Sequence, residues 1–111
     1  MNTQSSSPDG DSPIQIHPAL ISLLPGYLGR RREEIQKIPE LVKTQNYASL
    51  RDIGHRLIGN ASTYGFIKLS KVGSELEEAA LAQNERKILQ ILTDFENCVN
   101  HIEMLAAKAK S

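Results

Sequence analysis

The chain has 111 residues, with 13 lysines and arginines against 13 aspartates and glutamates, and a single cysteine. That length buries one modest core, and the balanced charge without interleaved aromatic residues excludes the electrostatic footprint of a nucleic-acid binder. Cys98 has no partner for an internal disulfide, no apolar run reaches the roughly 18 residues of a membrane span, and the N-terminus lacks a basic-then-apolar leader, so a cytoplasmic protein is expected.

Residues 1–13, rich in Ser, Pro, Gly and Asp, hold too little apolar surface to offset their ordering entropy and read as a disordered tail. Residues 14–111 then read as one helical domain. Proline suits a first helical position, so Pro18 opens a short helix that runs to about Leu24 and is broken by Pro25-Gly26. The second helix carries Leu28, Arg31, Ile35, Ile38 and Val42, an apolar stripe interrupted only by the arginine. Pro39 removes one backbone bond there and is expected to bend the helix rather than end it, because the stripe continues at Leu41 and Val42.

Asn46 caps a third helix with Leu50, Ile53, Gly54, Leu57, Ala61 and Tyr64 on one face, and Gly65 closes it. The fourth follows with Phe66, Leu69, Val72, Gly73, Leu76 and Ala80 and ends near Gln83. Asn84 caps the fifth, whose stripe is Ile88, Ile91, Leu92, Phe95, Val99, Ile102 and Leu105, with Cys98 falling on it as a small buried hydrophobe. No segment alternates with period two for long enough to make a strand. The expected fold is therefore all-α, an antiparallel up-down four-helix bundle with a short extra N-terminal helix.

His55 stands apart from this pattern. Advancing 100° per residue from Leu50, the apolar residues of the third helix cluster between about 300° and 40°, whereas His55 falls near 140°. Its helical neighbours are Arg51, Asp52, Ile58, Gly59 and Ser62, a mostly polar surface around one imidazole. The fourth helix returns antiparallel after Gly65, which puts Glu77 at the height of His55 on the same side of the seam. A carboxylate there fixes the tautomer, orients the ring and leaves the other nitrogen nucleophilic. His17 and His101 read as helix-end or surface residues, and with His55 they fall on separate helices, so no metal site is expected.

The segment His55-Arg56-Leu57-Ile58-Gly59, the break at Gly65-Phe66 ten residues past the histidine and the pair Leu76-Glu77 resemble the histidine-containing phosphotransfer (HPt) domains of two-component phosphorelays, over about residues 17–107. The resemblance implies that His55 is a phosphoacceptor, that Glu77 orients its ring and that Gly59 leaves room for the phosphoryl group and the docking partner. The family's lysine falls on Ile58, a departure after which either Arg51, one turn earlier, substitutes as the cation or the phosphohistidine is less well stabilised.

Such a domain has no nucleotide site and no cofactor of its own. It would act as a monomer, accept a phosphoryl group from a receiver-domain aspartate or a hybrid sensor histidine kinase, and pass it to a response regulator, with Mg²⁺ held by the receiver. Arg51, Ile58, Gly59 and Ser62 would meet the phosphoryl group or the partner, and Leu24 and Leu28 would extend the apolar docking surface. The run Arg30-Arg31-Arg32 reads first as a solvated face and second as a steering patch for an acidic receiver. Ile58 also favours a second reading, a non-catalytic adaptor that binds a receiver without phosphotransfer.

Overall fold

A computed structural model describes residues 16–110, apart from the side chain of Lys110; the tail expected over residues 1–13 lies outside the described residues. The described chain is all-helical: α1 (Pro18–Ile21), α2 (Leu24–Lys43), α3 (Tyr47–Thr63), α4 (Ile67–Leu81) and α5 (Glu85–Lys110). Among the described residues there is no strand, and no helix is long and apolar enough to cross a membrane.

Side chains start three of the helices. His17 caps α1 by accepting the amide of Ala19 at 3.1 Å, Asn46 accepts the amide of Ser49 at 3.1 Å, and Asn84 accepts the amide of Lys87 at 3.1 Å. Each relieves one of the four unpaired amides at a helix N-terminus.

The expected break at Pro25-Gly26 is corrected by the structure, in which α1 stops at Ile21 and α2 already begins at Leu24. Pro25 sits in the first turn of α2, where its missing N–H would have had no intrahelical acceptor. The helix then continues through Pro39 to Lys43.

The three connections between the long helices share one device. Gln45, Gly65 and Gln83 take the left-handed conformation, with φ of 57°, 78° and 53°. After each, the next amide reaches back five residues, from Asn46 to Leu41, Phe66 to Ala61 and Asn84 to Ala79, at 2.8, 2.9 and 2.9 Å. These paired backbone bonds make Schellman endings, which satisfy orphan carbonyls while reversing the chain sharply.

The reversals lay α3 against α4 and α4 against α5, while α2 packs on both α3 and α5. Leu24, Tyr27, Ile38, Leu50, Leu57, Phe66, Leu76, Ile88, Phe95 and Val99 fill the space between them, all essentially removed from water. Burial on that scale is what holds short amphipathic helices together, since isolated helices of this length are marginal in water.

The run Arg30-Arg31-Arg32 is only in part the solvated face expected of it. Arg31 is buried, its guanidinium over the Tyr27 ring at 4.6 Å and bonded to Glu34 through Nε at 2.7 Å. Arg32 pairs with Glu103 and Asn100 of α5. These two charges are engaged within the fold, while Arg30 stays exposed. Cys98 is half-buried against the core, and burial pushes its thiol up.

Candidate functional site

The seam between α3 and α4 is the closest helix contact of the fold, and two glycines make it so. A methyl group built on Gly54 would stand 2.6 Å from the backbone nitrogen of Glu77 and 2.7 Å from the carbonyl oxygen of Gly73. One on Gly73 would stand 2.8 Å from the carbonyl oxygen of Gly54 and 2.9 Å from the nitrogen of Ile58. Backbone meets backbone, and neither position has room for a side chain. His55 follows Gly54 directly, and Glu77 is one turn beyond Gly73.

That crossing delivers the pair anticipated from the sequence. Nδ1 of His55 lies 3.1 Å from Oε2 of Glu77. The His55 side chain is 74% exposed and that of Glu77 27% exposed, so the carboxylate lies in the seam and the ring stands out from it. With the proton on Nδ1 donated to the carboxylate, Nε2 carries a free lone pair on the outer edge of the ring.

Around the ring, Gly59 is exposed and a methyl group there would meet nothing within 4 Å, so the surface one turn beyond His55 is open. Ile58 is half-buried at the edge of the stripe. Arg51 is exposed one turn before His55, and no hydrogen bond or ion pair joins it to His55 or Glu77 among the described residues.

Ser62 is not a free donor. Its hydroxyl donates to the carbonyl of Ile58 at 2.7 Å, and Ser70 of α4 donates to the same carbonyl at 3.1 Å, with the two hydroxyl oxygens 3.1 Å apart. The seam is thus stitched beside the histidine as well as crossed at it. Leu24 and Leu28, expected on the docking surface, are instead buried in the core, because starting α2 at Leu24 turns both onto its inner face.

Three features of the site went unread in the sequence. Gly54 and Gly73 were placed on the apolar faces, but their pairing across the seam needs the register of two helices. The groove of about 390 Å³ beside Ile58, lined also by Ser62, Ser70 and Ser74, has the same requirement. Tyr27 is the third: its hydroxyl donates to Asn60 of α3 at 2.6 Å, and its ring packs on Tyr64 with centroids 4.3 Å apart. Burial pushes that hydroxyl above its ordinary value, with Arg31 pulling against the shift. This contact fixes the C-terminal half of α3 to α2 and so supports the helix that presents His55.

Among the described residues no three His, Cys, Asp or Glu side chains converge as a metal-binding group. Comparison of the chain with protein-family models, curated proteins and solved structures finds no match.

Proposed function

We propose that the protein is a histidine phosphotransfer protein, a phosphorelay intermediate in which His55 accepts a phosphoryl group and passes it on. The observation that carries the reading is the oriented imidazole: one ring nitrogen held by Glu77, the ring exposed, and open surface beside it at Gly59. A structural histidine has no need of that combination. In this reading α2 to α5 form the antiparallel up-down four-helix bundle, with α1 as a short extra helix, and the protein works in the cytoplasm as a monomer.

The chemistry needs little more than position. The Nε2 lone pair attacks phosphorus of a receiver's aspartyl phosphate in line with the leaving carboxylate oxygen; the N–P bond forms as the O–P bond breaks. The proton stays on Nδ1, and the positive charge that develops on the ring faces the Glu77 carboxylate. Transfer onward to a response regulator is the reverse step on a second receiver. Mg²⁺ on the receiver neutralises the phosphoryl oxygens during transfer, and the hybrid sensor histidine kinase upstream supplies the group.

The test is to incubate the full chain with a phosphorylated receiver domain and look for label that is acid-labile and base-stable, as a phosphohistidine is. The second reading, an adaptor that binds a receiver without accepting phosphate, is favoured by Ile58, which offers no cation beside the histidine. Binding of the receiver without labelling would select it.

A further inference from the structure

The outward face of α4 carries a line of residues that the core does not use. Counted at about 100° per residue from Ile67, the side chains of Lys71, Ser74, Glu78 and Leu81 all lie within about 40° of it. The two ends, Ile67 at 79% and Leu81 at 61% exposure, are the most exposed large apolar side chains among the described residues. Lys71 and Glu78 are exposed as well, and among the described residues neither side chain makes a hydrogen bond or ion pair. Ser74, half-buried, stands at the midpoint.

The order along this line, apolar, cation, small, anion, apolar, is its own complement when reversed. A second copy laid antiparallel about Ser74 sets Ile67 level with Leu81 of the second copy. It also brings Lys71 within one residue of level with Glu78 of the second copy, and two-fold symmetry repeats both contacts. No like charges meet along the line, and the small serine at the axis lets the two helices approach closely.

The helix α3 comes with α4 into this contact. The bonds of His55 to Glu77 and of Ser62 to Ser70 set Ile58 level with Ser74, so the same axis crosses α3 there, where exposed Gly59 offers no side chain. His55, one turn away, then stands opposite Ser62 of the second copy instead of solvent. Two helices of about 22 Å, each about 10 Å wide, present roughly 450 Å² per copy, a small interface that calls for weak, concentration-dependent association.

We propose that this face joins two copies of the chain into an antiparallel dimer in which α4 packs on α4 and His55 is covered. The dimer is a resting form, and the monomer is the form open to a partner. The association stands on the complementary ridge; only its meaning as regulation of a relay rests on the phosphoacceptor reading.

Sedimentation of the full chain from about 10 μM to about 1 mM measures the association, and the parent is expected to pass from one chain towards two over that range. Lys71→Glu and Glu78→Lys each oppose like charges twice across the axis and should weaken the dimer about ten-fold or more. Lys71→Glu combined with Glu78→Lys restores opposite charges and should return the affinity to within about three-fold of the parent. In the same samples, modification of His55 by diethyl pyrocarbonate, located by mass spectrometry, should slow several-fold as the parent associates and stay constant in Lys71→Glu. A parent that remains a single chain throughout, a dimer indifferent to both single variants, or a double variant no tighter than the singles overturns the assignment. If the parent stays single while Ile67→Ser weakens binding of a receiver domain, the face belongs to the receiver. A dimer in which His55 reacts at the monomer's rate overturns its covering. Because neither readout involves phosphoryl chemistry, failure of the phosphoacceptor reading shows separately, as no label on the parent from a phosphorylated receiver.

Discussion

Gly54 and Gly73 face each other across the α3–α4 seam with no room for a methyl group on either. Everything the site does geometrically follows from that contact, since His55 and Glu77 flank it.

Gly73→Ala is therefore expected to destabilise the protein although alanine is the better helix former. The gain of about 1 kcal/mol in propensity is outweighed by overpacking of about 1–3 kcal/mol, at the upper end because the obstructing atoms are backbone and cannot rotate away. Thermal unfolding measures it. The melting temperature should fall by about 4–8 °C for each kcal/mol lost, and His55 phosphorylation should fall with it as the helices part.

Glu77→Ala tests the orienting contact without disturbing the fold. The exposed pair is worth about 1 kcal/mol or less to stability, so unfolding should barely change. Freed of its partner, the ring samples other rotamers and tautomers, and the rate of phosphoryl acceptance should drop about five-fold or more. Glu77→Gln keeps an acceptor oxygen and should recover part of that loss. Initial labelling rates from a phosphorylated receiver distinguish the three proteins.

Gly59→Leu separates docking from folding. The position is open, so leucine should raise stability by roughly the 1 kcal/mol that glycine costs a helix. It also puts a side chain one turn from the imidazole, where a partner must approach. Titration with a receiver domain should show clearly weaker binding for the leucine variant than for the parent, with alanine in between; equal affinities would mean that partners do not approach over Gly59.

Gln83→Gly probes the turn device. A left-handed conformation costs a non-glycine residue about 1 kcal/mol, and glycine would take it freely, less its greater entropy when unfolded. A melting temperature a few degrees higher is expected, with unchanged labelling of His55 because the turn joins α4 to α5 away from the site. The same change at Gln45 should act alike.

Much of the fold was legible because its signals are local. The three- and four-residue spacing of apolar positions marked the long helices, and Asn46, Asn84 and Gly65 marked ends through chemistry that each residue carries by itself. The start of α2 was misread because Pro25-Gly26 is a breaker in most contexts, while proline in a first turn is not; the position of Leu24 and Leu28 went wrong with it. Gln45 and Gln83 gave no warning of positive φ, a conformation set by the Schellman bonds around them rather than by their own preference. At the site, His55 was visible as a polar residue off the apolar stripe, and Glu77 as its level neighbour across a hairpin. The Gly54–Gly73 contact depends on how two helices are rotated against each other, which no single helix encodes.

The measurement that bears most directly on the central claim is phosphoryl transfer from a phosphorylated receiver domain to the full chain beside its His55→Gln variant, with circular dichroism of both. His55 is exposed and its side chain makes one exposed polar contact among the described residues, so the variant should keep the parent's helicity and melting temperature to within a few degrees. The parent should gain acid-labile, base-stable label on His55, and the variant none. Equal labelling of the two proteins, or no labelling of a parent chain that is folded, would contradict the account.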